Sequence, residues 1–216
     1  MYINDVADIC IHDETDIYLY ADDAKIYKHV FSKADQDQLQ MSLSKLRDWS
    51  NTWLLSLNAQ KCKVVSYGRH ADTNYKYKMI QQDQIIELDH EDHIKDLGVI
   101  FDGNLDFGMH IAERINKAYS MLWLIKRNFK EIGREAFLLL YKHLVRSHLE
   151  YCNSVWAVYK KAYIDKLEKV QKRATKMIPK LRKMHYLDRL KQLNLPTLTY
   201  RRSRGDRNVQ ALNRNI

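Results

Sequence analysis

Thr15-Asp16-Ile17-Tyr18-Leu19-Tyr20-Ala21-Asp22-Asp23-Ala24-Lys25-Ile26-Tyr27-Lys28-His29-Val30 is the stretch on which the fold of this chain turns. Thr15–Tyr20 is β-prone and partly alternating, and Lys25–Val30 resumes the same pattern after the compact Ala21-Asp22-Asp23-Ala24. Such a sequence predicts a β-hairpin with a pair of aspartates at its tip. Adjacent carboxylates on a rigid hairpin suit Mg²⁺, which takes one or two carboxylates and completes its shell with water and phosphate oxygens. Taken alone, an Asp-Asp pair is more often a solvated turn.

Working outward, Ser32 is placed to cap a helix with Asp35 and Asp37 in its first turn, where the helix dipole favours negative charge. Leu39, Leu43, Leu46, Trp49 and Trp53 follow at close to helical spacing. Short strands are expected over Trp53–Leu57, Lys61–Tyr67, Tyr75–Ile80, Gln84–Leu88 and Ile94–Phe101, the last broken by Gly98. From about residue 108 the spacing becomes helical. Ile111, Ile115, Ala118, Leu122 and Ile125 form one stripe, and Phe137, Leu140, Tyr141, Leu144 and His148 form another. Ile164, Leu167, Val170, Ala174 and Met177 form a third, which ends before Pro179.

Charge divides the chain at the same place. Residues 1–110 carry 11 Lys/Arg against 19 Asp/Glu, whereas residues 111–216 carry 25 against 8. An acidic half suits cations and a basic half suits a polyanion such as nucleic acid. Within Tyr159–Lys183, Lys166, Lys169, Lys172, Arg173 and Lys176 flank the apolar stripe, so one helix face is free to meet phosphates. Solvated lysines on exposed helix faces are the plainer alternative. Trp156, Tyr159 and Tyr163 are candidates for base stacking, although at helical spacing aromatics are more often core.

With 6 Gly and 2 Pro, the composition favours long helices over many-turned β folds. No run of apolar residues is long enough for a membrane span, and the first residues have no signal-peptide pattern. The 3 cysteines, Cys10, Cys62 and Cys152, are far apart and read as reduced thiols. Together these features predict an intracellular protein, nuclear or cytoplasmic. His90-Glu91-Asp92-His93, and His148 with Cys152, fall short of a zinc signature.

Tyr20-Ala21-Asp22-Asp23 in this setting resembles the Y-A-D-D hairpin of reverse transcriptases, and most closely those of non-LTR, LINE-type, jockey-like retrotransposons. Tyr2-Ile3-Asn4-Asp5, Leu57-Asn58-Ala59-Gln60-Lys61-Cys62 and Leu97-Gly98-Val99 fall in the family's order. Leu149-Glu150-Tyr151-Cys152, Val155-Trp156, Leu167–Ala174, Tyr186–Leu190 and Arg201-Arg202…Gly205-Asp206 resemble the helical region after its palm.

The resemblance implies an α+β fold: an incomplete polymerase palm over residues 1–107, made of the hairpin, a packing helix and short antiparallel strands. An all-helical, thumb-like basic region would follow over residues 108–216. It implies Asp22 as the main metal ligand with Asp23 assisting, and Mg²⁺ (or Mn²⁺) as cofactor. Lys61 would be the acid that protonates leaving pyrophosphate, and Tyr20 and the Leu97-Gly98 segment would stand at the primer. RNA template, DNA primer and dNTPs are the expected partners. A further metal-binding aspartate and the fingers, in this reading, lie upstream of Met1, so the chain alone is expected to be inactive. The alternative is a non-catalytic, helical nucleic-acid-binding module.

Overall fold

The structure, a computed structural model, describes Val6 and residues 15–81 and 84–204. The readings placed on Tyr2-Ile3-Asn4-Asp5, Cys10 and Gly205-Asp206 lie outside the described residues. Helices and short strands mix as an α+β chain. Its residues gather into two compact units, one built from the described part of Met1–Ile94 with Gly103–Leu105, the other from Lys95–Asp102 and residues from Asp106 onward.

In the first unit, β1 (Asp16–Tyr20) and β2 (Asp23–Tyr27) pair antiparallel with Tyr20 opposite Asp23, so the loop is only Ala21-Asp22. Ala21 has φ +53, the sign that two-residue hairpin loops need at their first position to match strand twist. Ala tolerates that conformation less well than Gly, at a cost of about 1 kcal/mol.

Behind the hairpin, α1 (Lys33–Thr52) begins at Ser32 as expected. Asp35 closes a capping box by accepting from the Ser32 amide at 2.8 Å and the Phe31 amide at 3.0 Å. These bonds hold the Asp35 carboxyl below the usual carboxylate range. The expected stripe is only partly buried: Leu46 is core, Leu39 and Leu43 are half-buried, and Trp53 caps the helix in the open. Gln36, Ser42 and Ser50 are the residues buried with Leu46: the small serine side chains let neighbouring chain approach, and Gln36 donates to Asp72 at 3.1 Å. Ser42 bonds Thr15, and Ser50 bonds the Leu55 carbonyl.

The remaining strands are shorter than expected. Trp53–Leu57 forms no strand, since Leu54 turns the chain at φ +55. Most of Lys61–Tyr67 is a 3-10 turn (Ala59–Lys61) and loop around β3 (Lys63–Val64). β4 (Lys78–Gln81) and β5 (Gln84–Glu87) pair antiparallel, whereas β3 pairs parallel with β6 (Asp89–His90), against the all-antiparallel expectation. The strands make separate two-stranded ladders, not one sheet. Ala59, Tyr77, Met79 and Leu88 form a small core, with Leu39 and Leu43 packed against it.

The expected strand Ile94–Phe101 is a hairpin, β7 (His93–Asp96) and β8 (Val99–Asp102). Leu97 and Gly98 form its loop with φ +43 and +80, the two positive angles of a type I′ turn. Gly98 is therefore a turn residue, not a kink.

In the second unit, α2 (Gly108–Asn128) buries Ile111, Ile115, Ala118, Leu122 and Ile125, as its spacing requires. The next helical stretch comprises α3 (Arg134–Leu140), a π-helical segment (Tyr141–Arg146) and α4 (Ser147–Glu150). Phe137 and Tyr141 are buried as expected, but Val145 and Leu149 replace Leu144 and His148. A π segment widens each turn and so advances the buried face by one residue.

Leu167, Val170 and Ala174 on α5 (Lys161–Ala174) complete the core. It is joined by Leu190 and Leu193 of α6 (Tyr186–Leu193) and by Leu198, which opens the helical residues 198–204. Trp156 is wholly buried and is therefore core, not a stacking surface.

Candidate functional site

Strand alternation gives the first hairpin two unlike faces. Ile17, Leu19 and Ile26 are half-buried, whereas Tyr18, Tyr20, Asp23 and Tyr27 are exposed. Tyr18 and Tyr27 stack at 5.1 Å with their hydroxyls 2.8 Å apart, which stiffens the exposed face and raises Tyr27 to about 12. Asp22 in the loop and Asp23 at the start of β2 are both exposed. Among the described residues no side chain pairs with either carboxylate.

As hard oxygen donors with open coordination sites, Asp22 and Asp23 fit part of a Mg²⁺ shell. They do not fill it. Among the described residues no group of three or more His, Cys, Asp or Glu is gathered to hold a metal ion. Lys61 is exposed at the end of the 3-10 turn, ahead of β3 rather than within it, and its amide bonds Asn58 at 3.3 Å.

In the second unit, both carbonyls of the Leu97-Gly98 loop are held. The Tyr151 hydroxyl donates to the Leu97 carbonyl at 2.9 Å, and Arg114 donates to the Gly98 carbonyl. Arg114 also lies 4.9 Å over the Tyr151 ring. On β8, the Ile100 amide donates to His110 Nδ1 at 3.2 Å. His110 is fully buried against Trp156, whose Nε1 donates to the Tyr151 carbonyl at 2.6 Å. Burial first, then the Arg114 charge, pushes the imidazole down to about 4.

Around the α5 circumference, Lys161, Lys166, Lys169, Lys172 and Arg173 fall within a sector of about 140° at 100° per residue, and Lys176 follows in the 3-10 turn Thr175–Met177. All six are exposed, while Leu167, Glu168, Val170, Gln171 and Ala174 fill the opposite side. Asp165 is the one acidic residue in that sector. Lys166 lies over the Tyr163 ring, Lys172 over Tyr186 and Arg173 over Tyr119, at 5.4–5.6 Å.

The buried side of α5 carries a polar network absent from the sequence expectations. Tyr141 donates to Gln171, whose amide donates to the Tyr186 hydroxyl at 3.1 Å and the Pro196 carbonyl at 3.0 Å. Tyr186 donates to Glu168, which also accepts from the Leu198 amide at 3.1 Å. Arg189 donates to Thr175 Oγ1 at 3.0 Å and to the Met184 and Lys172 carbonyls. Nearby, Arg201 donates to Glu150 through Nε and, at 3.0 Å, through Nη2. Glu168, Gln171, Tyr186, Arg189, Glu150 and Arg201 all lie in segments singled out by resemblance. Their polar character at buried helix positions was the available signal.

No family model and no solved structure matches the chain. Curated relatives do. It is 27% identical over 175 residues to an RNA-directed DNA polymerase from mobile element jockey of Drosophila melanogaster, covering 77% of this chain. It is 30% identical over 173 residues to that of Drosophila funebris, covering 76%, and 26% identical over 164 residues to a probable RNA-directed DNA polymerase from transposon BS, covering 74%. The chain spans 18% of the length of each of these relatives. The resemblance to jockey-like non-LTR retrotransposon polymerases is thus borne out. Among the described residues no helix is long and apolar enough to cross a membrane.

Proposed function

We propose that this chain is the hairpin-to-thumb part of a mobile-element RNA-directed DNA polymerase. The observation that carries the reading is the exposed hairpin tip, where Asp22 in the loop and Asp23 at the start of β2 meet no side-chain partner among the described residues. In nucleotidyl transfer a primer 3′-hydroxyl attacks the α-phosphorus of a dNTP and pyrophosphate departs. Bound Mg²⁺ or Mn²⁺ would favour the hydroxyl's ionisation and neutralise charge on the leaving group. Asp22 and Asp23 hold those cations, with Asp22 the principal ligand. Lys61 gives a proton to the departing pyrophosphate. Tyr20 and the Leu97-Gly98 turn support the primer end, and Lys166, Lys169, Lys172, Arg173 and Lys176 hold the phosphate backbone of the RNA–DNA hybrid.

A third carboxylate for the paired-ion geometry comes, in this reading, from polymerase sequence outside these residues. The purified chain accordingly extends no primer, and the same segment within a complete polymerase supports Mg²⁺-dependent extension that Asp22→Asn abolishes. Extension by the isolated chain, or extension surviving Asp22→Asn in the complete enzyme, overturns the assignment.

The exposed cationic face of α5 also favours a second reading, a binding module without catalysis. It predicts salt-dependent binding by this chain, with no effect of Asp22→Asn on extension in the longer protein.

A further inference from the structure

Beyond the cationic face, α2 carries an unusual exposed aromatic. Trp123 is 59% exposed, and the Arg127 guanidinium lies 4.9 Å over its ring. Tyr119, Trp123 and Arg127 are spaced by four residues and so line one face of the helix. At the Tyr119 end that face meets Arg173 of α5, whose guanidinium lies 5.5 Å from the Tyr119 ring. Arg173 belongs to the cationic sector, so the aromatic row is continuous with it.

Charge along this helix is one-sided. After Glu113, which Lys117 pairs at 2.6 Å, α2 carries no carboxylate, and Lys126 and Arg127 lie exposed in its last turn. An exposed indole with a guanidinium over its ring, beside exposed Lys126, is well suited to a polyanion whose units carry flat π-faces. Within a duplex those faces are hidden in the stack, whereas an unpaired strand offers them.

We propose that Trp123 is a stacking platform for single-stranded nucleic acid, with Arg127 and Arg173 holding the flanking phosphates and the half-buried Tyr119 backing Arg173. The inference rests on the nucleic-acid reading of the α5 face and adds a strand preference to it. Stacking gives affinity without base identity, so RNA and DNA single strands are both accepted.

The test uses the purified chain with a fluorescein-labelled 20-nucleotide single strand and a blunt duplex of the same length, over a salt series. Trp123→Ala is expected to weaken single-strand binding about tenfold, in line with the loss of one stack. Duplex binding and the log–log salt slope should stay unchanged, because no phosphate contact is removed. Trp123→Phe should restore most of the affinity, and unchanged melting of both variants shows that the exposed position spares the core. Equal single-strand binding by Trp123→Ala and wild type, or a Trp123→Phe variant as weak as Trp123→Ala, overturns the platform while leaving the cationic face intact. Absence of salt-dependent binding by the wild type itself instead overturns the reading on which the inference rests.

Discussion

The Tyr151 hydroxyl donates to the Leu97 carbonyl across 54 residues of chain, and the same ring closes over Gly98. A Cβ at Gly98 would lie 3.2 Å from Tyr151 Cε1, on a backbone with φ +80. Gly98→Ala is therefore expected to cost about 1–2 kcal/mol, from the left-handed backbone and the crowded ring together. Chemical denaturation measures it. Tyr151→Leu removes the crowding, so the double variant should lose less than the sum of the two single losses. Strict additivity would show that the ring and the turn are not coupled.

His110 makes stability depend on acid. Its pKa falls from 6.5 to about 4 in the folded protein through burial, then the Arg114 charge, with Glu113 opposing and Lys95 and Lys117 adding. Protonation thus favours the unfolded chain. The stabilisation is complete above pH 6.5 and lost as pH falls towards 4, on the order of 3 kcal/mol. Melting temperature followed over that window should drop, and His110→Asn should flatten the drop. Burial lowers His148 too, so the flattening is partial. An unaltered pH profile in His110→Asn would assign the acid sensitivity elsewhere.

The α5–α6 network should behave as a unit. Gln171→Leu strands the buried Tyr141 hydroxyl, and Tyr186→Phe deprives Glu168 of a donor. Each is expected to destabilise by about 1–3 kcal/mol. Because Gln171 and Tyr186 bond each other at 3.1 Å, the double variant should cost clearly less than the two singles combined. Urea unfolding of the four proteins provides the cycle.

Local chemistry made much of this legible. The first hairpin, the Ser32 cap and the α2 stripe each follow from short-range rules, although β2 runs over Asp23–Tyr27 and not Lys25–Val30, because the turn is two residues and not four. Cooperative features were hidden. Periodicity cannot distinguish a kink from a two-residue loop when both carry Gly, so Leu97-Gly98 reads as a broken strand in the sequence and is a hairpin turn in the structure. Trp53–Leu57 had strand-like residues but was claimed by the end of α1, where Leu54 turns the chain. At the candidate site, the placement of Asp22 and Asp23 on an open tip followed from sequence, whereas the anchoring of the Leu97-Gly98 loop by Tyr151 and Arg114 depends on partners far along the chain.

The π segment Tyr141–Arg146 sits in the middle of a buried helix, where a change of chain length ordinarily rotates every later contact out of place. Here the helix already holds one residue more than a regular spiral between Phe137 and Leu149 requires. Removing one of the exposed residues Lys142, His143 or Leu144 would tighten the coil to ordinary pitch and leave Val145 and Leu149 pointing inward. This helix is thus a place where the gene can lose a codon without dismantling the domain.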